Sequence, residues 1–545
     1  MTKIQGHLVD IERQSIYDAE ISTDNGVITS ILPCTTPLPA DAPFVMPGFV
    51  DSHIHIESTL LTPSHFASLA LAHGTVAIVA DPHEIANVLG VDGVRFMMED
   101  GADIPFGFHF CVPSCVPSTP FETAGAAINA DDVELLMDNP RVVGLAEMMN
   151  VPGVLFEDAE VKRKIAVAKR FNKVIDGHAP MLSGKDLDKY IQSGISTDHE
   201  CTTIDEAVEK INKGMSVLIR EGSAACNYSD LAPLLNDYPD SLMFCTDDIY
   251  PDELLLGHIN LLVRRAVQDG YPLWNVLKSA CVNPVHHYGL STGLLRPNDS
   301  ADFILVNNLT DFNVLATYYR GVEVFNADAG IGALAAGERV PVAGDVPNRF
   351  NAQPVKASDL KAELEGNTVR VITATDGQLL TGCKEVAIPI DPNADILKLV
   401  VYNRYQKAAP QVAFIQGFGL SRGAFGATIA HDCHNIIAVG RTDDDLVTVI
   451  NHLIGSRGGI AATDGRDLVS LPLPVAGLMS DEDPQKVAVQ LRTLKAMVKG
   501  LGCDMSAPFM TLSFMALPVI PALKLTDKGL FDGTKFQFTA LSYNA

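Results

Sequence analysis

A chain of 545 residues with 66 acidic against 40 basic side chains carries a formal charge of −26. That balance argues against nucleic-acid backbones and anionic membrane surfaces as partners, because both need a positive footprint, and it leaves small molecules open. Apolar residues make up 47% of the sequence, enough for large cores and more than one domain.

The ten cysteines are scattered with no CxxC pair, so neither a disulfide framework nor a thiolate zinc site is expected. The stretch "MTKIQGHLVDIERQSIYDAE" has no apolar signal region, and no apolar run approaches the ~20 residues needed to span a bilayer. A soluble cytoplasmic protein is the expectation.

Residues 1–43 read as short strands, with "DNG" as a hairpin signal between alternating segments. Eight strand candidates follow before residue 250. They are "FVMPGFVD", "GTVAIVAD", "PFGFHFCV", "RVVGLAE", "KVIDGH", "GISTDH", "MSVLIRE" and "LMFCTDD". Helical patterns such as "DAEVKRKIAVAKRFN" and "TIDEAVEKINKG" separate them. The fold class is therefore α/β, a (β/α)₈ barrel over 44–296, at roughly 20–35 residues per unit. The flanking segments 1–43 and 297–350 return to β-type patterning and are expected to form one small β-sandwich. "AQPVKASDL" reads as a linker into an additional C-terminal α+β domain over 360–545.

The polar residues at the strand ends fall into one place. In a strand, residues i and i+2 share a face, so His53 and His55 both point into the barrel mouth. The fourth strand ends in Glu147, the fifth in His178, the sixth in His199 and the eighth in Asp247. Active sites of such barrels lie at these C-terminal strand ends. Imidazole and carboxylate donors without thiolate suit manganese, iron or zinc. Six donors exceed the needs of one tetrahedral ion. A carboxylate bridging from the fourth strand lets two ions sit about 3.5–4 Å apart and share a hydroxide. Asp247 is placed to hold that proton and pass it to a leaving group. A single histidine at a strand end is ordinarily a satisfied polar residue; five strand ends filled at once are not.

These residues resemble the amidohydrolase superfamily, as "VDSHIHIE", "LAEMMN", "DGHAP", "STDHE" and "CTDD". The bridge position carries Glu147, with no lysine near that strand end, so no carbamylated lysine is required. A closer resemblance is to the bacterial adenine deaminase family. "MPGFVDSHIHIESTLLTP", "ADPHEIANVLG", "PSCVPST" and "AHDCHNII" carry it over nearly the whole chain. The resemblance implies conversion of adenine to hypoxanthine and ammonia with two divalent ions, Mn(II) or Fe(II).

That reaction needs a proton on ring N1 and another on the amine. Asp247 can supply one, and Glu84 is the candidate for the other, beside His83. The competing reading is that Asp81 and Glu84 only cap the next helix. Further candidates for the substrate pocket are His83, Glu84, Ser114, His431, Asp432 and His434. The "AHDCHNII" cluster reads as a lid or pocket wall, with a structural junction or a third metal as the alternatives. Asp248 reads as a supporting neighbour of Asp247. The alternative reactions are hydrolysis of a cyclic amide or related N-heterocycle on the same scaffold, since one fold hosts many chemistries. A noncatalytic scaffold protein is disfavoured because all six ligand positions are filled. A purine base is the expected partner, and a homodimer or higher homo-oligomer the expected assembly.

Overall fold

The computed structural model describes residues 2–329, 347–391 and 394–545. Residues 330–346, inside the flanking segment read as 297–350, lie outside the described residues.

The predicted barrel strands are all present. They are Phe49–Ile54, Thr75–Ala80, Gly107–Val112, Val142–Met148, Val174–Gly177, Thr197–Asp198, Ser216–Arg220 and Leu242–Cys245. The first five pair in parallel in chain order, and so do the last three. Two seams join these sheets. Asp247 N donates to the His53 carbonyl and His55 N to the Asp247 carbonyl, tying the eighth strand to the first. Ser196 N donates to the Ile175 carbonyl and Gly177 N to Thr197 Oγ1, tying the sixth to the fifth. The first two strands are buried along their whole length. Parallel strands covered on both faces read as continuous apolar runs, which is why "TVAIVA" shows no alternation.

The predicted first strand, "FVMPGFVD", is divided between two sheets. Phe44–Pro47 pairs with the N-terminal strand Thr2–Asp10 and with Phe303–Val306, and only Phe49–Ile54 enters the barrel. Gly48 sits at the switch, where a Cβ would come within 2.4 Å of both Val76 γ-methyls. The described strands of the flanking segments thus form a single seven-stranded sheet with Phe44–Pro47 at its centre. Ile21 and Ile28 from one half and Ala316 and Tyr318 from the other share an apolar cluster with Val45 and Phe303.

The C-terminal region is built on a nine-stranded sheet. Its strands alternate strictly. Val400, Tyr402, Ile436 and Ala438 face the helix Asp443–Gly455 and its Leu446, Val449, Ile450 and Leu453. Leu399, Val401, Ile437 and Val439 face the other way, into a core shared with the helix Pro484–Gly500 and with residues of the barrel. This face brings the C-terminal region down onto the C-terminal ends of the barrel strands. Ser480 N donates to the Leu60 carbonyl at 2.8 Å, Ala225 N to the Gly377 carbonyl, and Lys495 Nζ reaches the Asp252 carboxylate at 2.9 Å. Among the described residues, no helix is long and apolar enough to cross a membrane.

Candidate active site

His53, His55, Glu147, His178, His199 and Asp247 converge at the barrel mouth, all of them buried. His55 Nε2 lies 3.1 Å from Asp247 Oδ1 and 3.5 Å from Glu147 Oε1. Glu147 Oε2 lies 2.7 Å from His178 Nδ1 and 3.2 Å from His199 Nε2, so its two oxygens face different histidines. His53 Nε2 stands 3.6 Å from Asp247 Oδ1, and its ring stacks on His199 at 4.2 Å.

The donor set fits divalent cations. Potential ligand atoms of His53, His199 and Asp247 gather within 4.8 Å of one another, as do those of Glu147, His178 and His199 and those of His55, Asp81, His83 and Glu147. His53 Nε2 and His178 Nε2 are buried without a hydrogen-bond partner, which is costly for a polar atom unless something else binds there. The other nitrogen of His55, Nδ1, is fixed by the Asp81 carbonyl at 3.0 Å, leaving Nε2 aimed into the site.

Charge in this cluster is tightly balanced. Burial pushes the Glu147 carboxyl up, but His178 and His199 hold it well below the usual range. Burial likewise opposes the Asp247 carboxylate, and Arg220 with the neighbouring histidines holds it well below. Burial works against a charged His178, yet Glu200 and Glu147 push it up to about 9. Protons on these histidines and a bound cation compete for the same carboxylate charge, so cation binding here releases protons. Asp247 also has a left-handed backbone, φ +58°, a conformation that is strained for a residue with a side chain and is kept where the surroundings demand it.

Glu84 lies beside this cluster on the helix His83–Leu89. Its N-cap residue, Pro82, offers no side-chain cap, and Glu57 Oε1 instead accepts from Ile85 N at 3.1 Å. Neither Asp81 nor Glu84 accepts a backbone N–H of that turn, while Glu84 sits in its first turn, where the helix dipole favours a carboxylate. Asp81 instead turns its Oδ2 to His83 Nδ1 at 3.0 Å. Glu84 turns its carboxylate to two histidines from the other end of the chain. His431 Nδ1 is 2.6 Å from Glu84 Oε1, and His434 Nε2 contacts Oε2. Burial pushes Glu84 up, but His431, His434 and His83 hold it well below the usual range. Burial opposes a charged His431, and Glu84 raises it to about 9. The buried His434 is pushed down to about 4.

A cleft partly open to solvent lies between these groups. His83, Glu84, His431 and Asp432 line it together with His55, Glu147, His178, His199 and Asp247. His434 stands behind Glu84. Ser114 does not reach the cleft; its Oγ donates to the Glu147 carbonyl at 2.5 Å, and its own carbonyl accepts from Lys164 Nζ at 2.7 Å. Three polar residues escaped the sequence reading of the site. Glu200 and Arg220 line the cleft, and Arg220 bridges Glu200 and Asp247. Asp81 joins the donor cluster with His55, His83 and Glu147. Arg220 ends the seventh strand, so the rule that picked out the other strand-end residues would have found it. Asp248 lines the cleft and accepts from Ser58 Oγ.

The rest of the lining is apolar: Met149 and Ala225 from the barrel, and Leu379, Phe514 and Leu517 from the C-terminal region. Nothing in the sequence reading pointed to these three, because no local pattern separates a pocket leucine from a core leucine.

A parallel barrel with a buried His/Asp/Glu cation site at its strand ends is the architecture of a metal-binding amidohydrolase, and residues 44–324 match the model of the amidohydrolase family. Residues 371–537 match that of the adenine deaminase C-terminal domain. The chain is 49% identical to an adenine deaminase of Salinibacter ruber over 98% of both chains. It is 47% identical to one of Methanosarcina barkeri over 99% of both. The chain belongs to the adenine deaminase family. Among solved structures, N-acetyl-D-glucosamine-6-phosphate deacetylase from Mycobacterium smegmatis aligns with a TM-score of 0.47 and 16% identity, over 60% of this chain and all of that one.

Proposed function

We propose that this protein hydrolyses adenine to hypoxanthine and ammonia, with two divalent ions, manganese or iron, held by His53, His55, Glu147, His178, His199 and Asp247. One observation carries the reading: end-to-end likeness to adenine deaminases in a chain whose six ligand positions are all filled and all buried around one cleft. Bound ions of this kind lower the pKa of water toward ~7 and so supply a nucleophile at neutral pH.

The side chains divide the remaining work. The apolar wall and the polar floor accept a flat heterocycle with C6 toward the ligands. Asp247, held as a carboxylate, takes a proton from the attacking water and returns it to the departing amino group. Glu84 and His431 together carry one proton at neutral pH, and Glu84 delivers it to ring N1. His83, between Asp81 and Glu84, keeps that carboxylate turned into the cleft. The other proton of the attacking water restores the one given up by the Glu84–His431 pair; water contributes the oxygen of hypoxanthine and the amine leaves as ammonia, so atoms and charge balance.

The test is ammonia release from adenine by purified protein grown with added manganese and with iron chelated. Release that vanishes on metal removal supports the reading. No release from metal-loaded protein overturns the substrate.

A further inference from the structure

Lys524 is wholly buried in the strand Leu523–Thr526. Among the described residues no carboxylate lies within ion-pair distance of it. Its Nζ donates instead to two backbone carbonyls, those of Leu379 at 2.7 Å and Phe514 at 3.0 Å. Burial without a counter-charge pushes this amine down to about 7. Such a group is expensive to bury and does no work in the deamination steps above.

Its two partners explain its place. Leu379 and Phe514 are far apart in sequence, and both line the cleft on its apolar side. The Leu379 segment runs along the Lys524 strand, with Thr381 Oγ1 donating to the Leu523 carbonyl at 2.8 Å. It also reaches the barrel, where Gly377 accepts from Ala225 N. The Phe514 ring stacks on His431 at 4.8 Å. His431 is held separately, through its N donating to the Ser513 carbonyl.

We propose that Lys524 is a positioning residue that sets the spacing of Leu379 and Phe514, and thereby the width of the slot that grips the purine ring. One terminal amine donating to two carbonyls at once fixes the two segments against each other as no apolar side chain could. The proposal rests on the adenine reading for its ligand. The wall touches the ring away from the reacting C6, so loosening it removes binding shared by ground and transition states. That raises KM and leaves kcat in place.

The test compares wild type with Lys524→Met in the metal-loaded enzyme. Turnover is read alongside the dissociation constant of adenine and the bound metal. The expected result is KM and dissociation constant at least tenfold higher, with kcat within threefold and metal content unchanged. Unchanged KM, or a loss confined to kcat, overturns the proposal. Should Lys524→Met fail to fold, Lys524→Gln, whose side chain is one bond too short to set a donor between both carbonyls, is read by the same split. Failure of both to fold reduces Lys524 to a folding element and overturns the proposal as well. Wild type that binds adenine without releasing ammonia fails the reaction alone, and the slot is then judged from the dissociation constants. Wild type that does not bind adenine overturns both.

Discussion

Asp247 and Glu84 are both buried carboxylates on one cleft, both held anionic by neighbouring cations, yet they are held by different parts of the chain. Asp247 is fixed by the barrel alone: by His53 and His55 from the first strand and Arg220 from the seventh. Glu84 is fixed by His431 and His434, which lie some 350 residues downstream, in the hairpin between Ala424–Ala427 and Ile436–Gly440. The His/Asp/Glu cluster around Asp247 is thus a property of the barrel, whereas the Glu84–His431–His434 cluster exists only once the C-terminal sheet has docked on the barrel mouth.

The largest effect is expected from metal removal, which should abolish ammonia release and be reversed by adding manganese; turnover surviving exhaustive chelation would place the chemistry outside the barrel cluster. Next, Asp247→Asn should cost about 10⁴-fold in kcat, the upper end for a proton-transfer group, and should lower bound metal as well. Glu84→Gln should cost about 10²-fold with metal content intact, as measured by elemental analysis. If metal is lost in that variant, the two sites are not separable.

A smaller effect is expected for His431→Asn. Loss of a charged hydrogen bond at the low end of its range, ~1.5 kcal/mol, corresponds to roughly tenfold in kcat. On a Glu84→Gln background the same change should add little, because the two act as one unit.

The smallest effect concerns stability. Lys524 is held down to about 7 in the folded protein, against an ordinary ~10.4 in the unfolded chain. Between these values the unfolded chain binds more protons, so folding stability rises with pH across that window. The melting temperature of wild type should therefore climb from pH 7 to pH 9 relative to Lys524→Met, and parallel curves would show that the amine does not titrate there.

Much of the cation site was legible in the sequence because two simple periodicities converge. The alternation within a strand puts His53 and His55 on one face, and the parallel barrel puts every strand end at one rim. Glu147, His178, His199 and Asp247 follow from the same argument. Arg220 obeys it too and was passed over for lack of a ligand role. Glu200 and Asp81 sit just beyond strand ends, where turns rather than periodicity aim the side chain. Ser114 occurs in a family-like string, yet its hydroxyl is spent on the Glu147 carbonyl, so a motif match marked structure rather than contact. The division of "FVMPGFVD" between two sheets was not legible, because an apolar run carries no mark of which partner its backbone will choose.

The amino-acid order alone placed eight parallel strands and set His53, His55, Glu147, His178, His199 and Asp247 at one rim, since strand alternation and parallel order are local and topological rules. Only the tertiary structure decided that Glu84 meets His431 and His434, that Phe514 and Leu379 wall the cleft, and that Lys524 joins them. These contacts span long stretches of chain, and they arise from the packing of one apolar sheet face onto the barrel mouth, which no spacing along the sequence encodes.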